Sequence, residues 1–487
     1  MHHPGLSDDE ADPAPGPNPE AAAIRRTWRI TGFAALLIAF SVAPILNNYL
    51  DRGNKDYVLW YYVGKAVSQG QGVYPKDGRV FPFMYPPSAG AMLAIASQVG
   101  PRPFIYLLVA VNSAAWAAAV FLSVSLATGR VGGGNRWLFL VPSLGVIAYI
   151  HDTYLLGQPN LLLLACMLGA FAALRARRSG LAGALIAFAA AVKAFPVMAV
   201  GYLVYRRMWK ATASLVVCLT LMMIVLPMPF RGVAGAYEDV ATWTQGMVLR
   251  YDSGSIAQRP ERGFGFKNQS LMALANRLLR DIPADAEARD GWKVNLASLP
   301  FGVVNKVILA SAVLLGGLFV ALMPWKRPEG EAVGPAASIE VALLLLLILM
   351  FSPLSFNYFY VWLLYPMTVA LHLGLRSPRG SLGRRVLVGS VAGSIGSLAL
   401  SIVSSRTAAG YGNSFMAAAI LFAALGWRLA VEPGLGSPVQ LVGALIRRGL
   451  ARSPTLPSGR PTPFPLPAPH LDLPSKRAPE AEPRKAR

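Results

Sequence analysis

Asp56 is the carboxylate in this sequence best placed for acid–base chemistry. It stands in Lys55-Asp56-Tyr57, a few residues past the first long apolar run. Desolvation at a bilayer edge favours the neutral form of a carboxyl group, which suits a general base. The same position fits a solvated loop acid or an ion pair with Lys55, and spacing alone leaves all three open. Lys193 is the matching cation, set between the apolar half-runs Leu181–Val192 and Ala194–Tyr205. A lysine at membrane depth is costly unless it reaches an interface, a cavity or an anion. Lys193 therefore reads as a phosphate partner or as an anchor snorkelling to the surface.

Amides come next. Gly157-Gln158-Pro159-Asn160 opens an apolar run just after His151-Asp152, and such groups either cap a helix or meet a polar ligand. Asn268-Gln269-Ser270 lies in a long polar stretch and favours a local turn, although it also matches a glycosylation acceptor motif. The sequence holds no Walker loop, dinucleotide glycine fingerprint or HExxH. Its run of consecutive acids, Asp8-Asp9-Glu10, stands in the amino-terminal tail, which speaks against a metal-bound Asp-x-Asp nucleotide-sugar site. No metal and no cofactor is expected. Cys166 and Cys218 fall inside apolar runs and read as small hydrophobes.

The elements that must carry these residues are membrane helices. Of 487 residues, 54% are hydrophobic and 14% charged, against roughly 25% charged in a soluble domain. Long apolar runs recur, among them Trp28–Ile45, Ile105–Ala127, Leu155–Leu174, Ala211–Leu226, Val303–Met323 and Ile339–Phe351. About 20 such residues cross a bilayer, so the chain reads as an all-α, multi-pass protein of the cell (inner) membrane. Thirteen apolar segments can be marked; the 84–98 run is the weakest and reads as partial or re-entrant, leaving about twelve crossings.

The net charge of +21 is spread over clusters at run ends: Arg25, Arg26 and Arg29; Arg175, Arg177 and Arg178; Arg206, Arg207 and Lys210; Lys326 and Arg327; Arg376, Arg379, Arg384 and Arg385. These mark cytoplasmic loops that meet membrane lipids, and without interleaved aromatics they exclude nucleic acid as a partner. The organisation expected is a disordered cytoplasmic tail over 1–28, a transmembrane domain over 29–430, and a disordered, proline-rich basic tail over 431–487. Two extracytoplasmic loops, 48–83 and 230–302, punctuate the domain. Tyr57, Trp60, Tyr61 and Gly64 in the first share a helical spacing that suits an interfacial helix.

Taken in order, the motifs are Asp56-Tyr57, Gly70-x-x-x-Tyr74-Pro75 and Phe83-x-Tyr85-Pro86-Pro87, then Gly157-Gln158-x-Asn160. Lys193-x-x-Pro196, Asn268-Gln269-Ser270 and Ser352-Pro353-x-Ser355 follow. This set resembles glycosyltransferase family 87, GT-C enzymes that include polyprenol-phosphate-mannose mannosyltransferases, and the resemblance spans roughly 29–430. It implies a GT-C-like bundle that transfers a sugar, mannose foremost, from a polyprenyl-phosphate donor to a lipid- or glycan-linked acceptor. Transfer would take place outside the cytoplasm with inversion. The family's base is an aspartate of the first outer loop, which falls on Asp56. Lys193, with Lys267 or Arg262, would neutralise the donor phosphate, and Tyr85, Gln158, Asn160, Asn268 and Gln269 would contact donor or acceptor. After Ser352-Pro353-x-Ser355 the family usually shows an aromatic and a histidine, where this chain has Phe356, Asn357 and Tyr358. A polymerase or ligase of polyprenyl-linked glycans, drawing on Arg250, Arg259 and Arg262, and a flippase are the other classes considered.

Overall fold

The structure, a computed structural model, describes residues 31–42, 45–46, 55–76, 80–130, 135–260, 262–285, 287–288, 290–324, 334–431, 438 and 440. All of them belong to the first of two units, Met1–Leu441, the second being Val442–Arg487. The two tails, except for a few residues, lie outside the described residues, as do Asp51 and Asp77 of the first loop.

The described chain is mostly helical, and its one sheet is a two-stranded hairpin. Five helices are long and apolar enough to cross a bilayer: α4 (Pro101–Thr128), α13 (Phe301–Leu322), the helix Asn357–Arg376, α16 (Leu382–Val403) and α18 (Asn413–Val431). Two bent pairs raise the number to seven. One joins α5 (Arg136–Gly145) to α6 (Ile147–Leu156) at 60°; the other joins Trp209–Val225 to Met228–Leu249 at 102°. This is an all-α integral membrane protein, but five to seven long spans fall short of the expected twelve. The remaining apolar helices are short: Thr31–Val42, α7 (Asn160–Arg175), α8 (Ser179–Val192), Phe195–Tyr205 and Pro335–Phe351. Their brevity has local causes. Helix α8 stops at Lys193, whose backbone is extended, and Pro196 restarts the chain as a single 3₁₀ turn.

Apolar attraction alone does not hold helices together in a bilayer, because lipid tails are equally apolar; close packing and polar ties must do it. At Gly183 of α8 a Cβ would come within 2.2 Å of the Ala211 carbonyl oxygen, so backbones meet where any side chain would part them. The helix Pro335–Phe351 (α14) is buried on nearly all sides, as a helix apolar all round should be. Within it Glu340, fully buried, pairs with Arg206 at 2.6 Å and accepts from the Tyr202 hydroxyl. Arg175 donates to Ser338 of the same helix. Arg175 and Arg206, expected as loop-end charges, are thus bundle ties, and breaking such a buried pair costs about 3–5 kcal/mol.

The 84–98 run is α3 (Pro87–Ala96) plus a 3₁₀ turn, about half a span. The stretch 230–302 is more ordered than a polar loop. It continues helix α11 (Met228–Trp243), then forms strands β1 (Ser255–Ile256) and β2 (Arg259–Pro260) and helix α12 (Leu271–Leu279). Arg231 of α11 pairs with Asp239 at 2.8 Å and donates to the Gly70 carbonyl, while Lys76 pairs with Glu238. The two stretches read from sequence as outer loops are thereby tied to each other.

Candidate active site

Helix α2 (Lys55–Ser68) carries Asp56 in its first turn and Trp60 one turn later, on the same face. Its position is set by Tyr57, whose hydroxyl donates to the Tyr154 carbonyl at 2.8 Å and whose ring lies under Gly157. Gly157 ends α6 in a left-handed conformation (φ 69°), and a Cβ there would fall 2.7 Å from the ring. Only glycine fits both conditions. The next residue, Gln158, is delivered to the carboxylate: its Nε2 donates to Asp56 Oδ2 at 2.6 Å.

The amide's other end is as closely engaged. Gln158 Oε1 accepts from the Tyr85 hydroxyl at 2.6 Å and from Lys193 Nζ at 3.2 Å. Lysine only donates and a carboxylate only accepts, so these partners fix which way the amide points. Tyr85 is presented by two hydrogen bonds to its own stretch: Tyr74 donates to the Tyr85 carbonyl at 2.6 Å, and the Trp243 indole to the Met84 carbonyl at 3.0 Å. Burial, with the nearby Tyr358 and Asp56, raises the Tyr85 phenol well above its ordinary value, so it stays a donor.

Lys193 emerges at the break after α8. Its ammonium also reaches Asn160 Oδ1 at 3.4 Å and lies 3.7 Å from the centroid of the Phe359 ring, with Tyr85 and Tyr358 at 5.2 and 5.4 Å. An aromatic box of this kind holds a cation where water is scarce. Asn160 is braced in turn by Trp362, which donates to its carbonyl.

Asp56, Tyr85, Gln158, Lys193, Tyr358 and Phe359 line a cleft of about 710 Å³. Part of its wall is apolar, with Ala190, Val197, Met198, Leu219, Met223 and Met247; another part carries Arg259, Arg262, Lys267, Asp285 and Glu287. A pocket mostly apolar, with a few convergent polar groups, is the form that binding sites take. Glu287 lies 3.6 Å from both Arg262 and Lys267. Arg259, on β2, feels Asp56, Tyr85 and Tyr358; burial pulls its guanidinium below the ordinary value, and those groups pull it back.

Of the residues singled out from sequence, Asp56, Tyr85, Gln158, Lys193, Arg262 and Lys267 line the cleft, and Asn160 touches it through Lys193. Asn268 and Gln269 do not line it. Both are fully buried. Asn268 donates to the Gly263 and Pro353 carbonyls and accepts from the Ser270 and Ser355 amides, while Gln269 donates to the Phe266 and Ala409 carbonyls. Their visible work is to fasten the loop that presents Arg262 and Lys267. His151 and Asp152 also lie away from the cleft. The readings from sequence passed over Trp60, Tyr358, Phe359 and, as a site residue, Arg259. Trp60 was legible from its spacing to Asp56; the others come from distant stretches and carry no local signal. Among the described residues no cluster of His, Cys, Asp or Glu has the arrangement of a metal site.

No curated protein and no solved structure matches the chain. The family comparison does match: residues 83–353, more than half of the chain, fit glycosyltransferase family 87. Asp56 precedes the matched stretch, yet Gln158 within it donates to its carboxylate, and Tyr85 and Lys193 share that amide. The chain belongs to glycosyltransferase family 87 and is a membrane-embedded glycosyltransferase.

Proposed function

We propose that this enzyme transfers a sugar from a polyprenyl-phosphate carrier to a hydroxyl of a lipid- or glycan-linked acceptor on the outer face of the cell membrane. The observation that carries the reading is the oriented carboxylate of Asp56 in a mostly apolar cleft that also holds the Lys193 ammonium. In the reaction the acceptor oxygen attacks the anomeric carbon from the face opposite the phosphate. Its proton passes to Asp56, and the C–O bond to phosphate breaks with its electron pair staying on the phosphate. One displacement inverts the anomeric centre. The phosphate is already a good leaving group, so the protein's task is to position it and offset its charge. Lys193 and Arg259 serve that end. Mannose is the sugar to which the family resemblance points.

The orientation is read from the exposed basic residues Arg177, Arg178, Arg207, Lys210 and Arg379, with the short apolar helices counted as crossings to give twelve and both tails in the cytoplasm. The test is transfer from polyprenyl-phosphate-mannose by purified enzyme in detergent. Asp56→Asn keeps the shape but cannot take a proton, so kcat should fall by about 10²–10⁴-fold with donor binding retained. Asp51→Asn and Asp77→Asn should cost far less. Near-normal turnover in Asp56→Asn would sink the assignment.

A further inference from the structure

We propose that Gln158 is a positioning residue, an amide relay that holds Asp56 in its working orientation and couples it to Lys193; this rests on the function proposed above. Gln158 is 3% exposed and all three of its close polar partners lie in the cleft wall. Its Oε1 is committed to Tyr85 and Lys193 and one N–H of its Nε2 to Asp56, which leaves a single N–H for any further partner. A family motif residue that reads as a ligand contact is spent mainly on the base. The relay has a direction: Lys193 and Tyr85 donate into the carbonyl, which polarises the amide and strengthens its donation to the carboxylate. A phosphate that draws Lys193 toward itself weakens one of these bonds. Donor arrival is thus felt at Asp56 through one side chain.

Among the described residues, Lys193 from the break after α8, Arg259 from β2, Tyr85 from the stretch before α3, and Tyr358 from the turn before α15 (Leu364–Arg376) act on Asp56 through their charge or dipole. Gln158 donates a hydrogen bond to the Asp56 carboxylate. Removing an N–H that supports a carboxylate anion makes the carboxylate easier to protonate. A merely structural loss would lower the rate equally at every pH.

The experiment is the pH dependence of mannose transfer from polyprenyl-phosphate-mannose in detergent for the wild type, Asp56→Asn, Gln158→Leu and Gln158→Glu. Wild-type kcat should fall on the acid side as the base is protonated, and Asp56→Asn should be nearly inactive at every pH. If it is not, the proposed function fails and the relay with it. In Gln158→Leu, kcat should drop about 10- to 100-fold, the loss of one hydrogen bond to a charged group, and the acid limb should move to higher pH by about 1. Gln158→Glu keeps the size of the side chain and places a second carboxyl against Asp56, so its limb should move at least as far, even where the leucine variant does not fold. Tyr85→Phe should shift the limb in the same direction by less. An acid limb at the wild-type position in whichever Gln158 variants fold, with Asp56→Asn inactive, overturns the relay and leaves the base standing.

Discussion

Gly157→Ala puts the local construction of the site under the sharpest strain. The residue sits at φ 69°, where a side chain costs about 1–2 kcal/mol. The new Cβ would also stand 2.7–2.8 Å from three atoms of the Tyr57 ring, which would have to retreat by about 0.7 Å to reach ordinary contact at 3.4 Å. Retreat is opposed, because the ring's hydroxyl is bonded to the Tyr154 carbonyl at 2.8 Å. Overpacking of this kind adds about 1–3 kcal/mol, so the total is about 2–5 kcal/mol, shared between lost stability and a displaced α2. Displacement moves Asp56, the neighbour of Tyr57, away from Gln158, and an error near 1 Å in a reacting group costs about 10²-fold. Thermal unfolding in detergent and kcat for sugar transfer should therefore both fall. Adding Tyr57→Leu should relieve the clash but not the backbone strain, recovering part of the stability. Wild-type melting and turnover in Gly157→Ala would refute the claim that Tyr57 and Gly157 register Asp56.

Three further outcomes are expected. Lys193→Met should weaken binding of the proposed polyprenyl-phosphate donor by about 10- to 100-fold, while Lys193→Arg keeps part of the affinity; unchanged donor affinity would leave Lys193 as an anchor. Arg277 is fully buried and donates to the carbonyls of Phe264, Gly265, Asn268, Ala409 and Gly410, with burial pushing it down to about 9. Arg277→Met should destabilise the protein by at least about 3 kcal/mol through unpaired carbonyls, read as a lower melting temperature, and a surviving melt would deny the clamp. For orientation, with Cys166 and Cys218 replaced, Ser253→Cys should react with an impermeant thiol reagent in intact cells. Arg379→Cys should react only after permeabilisation; the reverse pattern inverts the topology.

Membrane character was legible along the chain because crossing hydrocarbon demands long apolar runs, and no other constraint produces so many. The basic clusters were equally legible, but their meaning was not. Arg175 and Arg206 look like any other loop-end charges, and only the folded bundle brings Ser338 and Glu340 to them. The motif order pointed to the family, and Asp56, Gln158 and Lys193 to chemistry, since carboxylate, amide and ammonium stand out in apolar surroundings. What each does was a matter of tertiary contact. Residues 56, 85, 158, 193, 259 and 359 come from separate elements, and a hydrogen bond acts over about 3 Å, a length that sequence spacing cannot encode across such separations. Asn268 and Gln269 make the same point in reverse: an amide that looks free to bind a ligand is indistinguishable, until folding supplies the carbonyls, from one that fastens a loop.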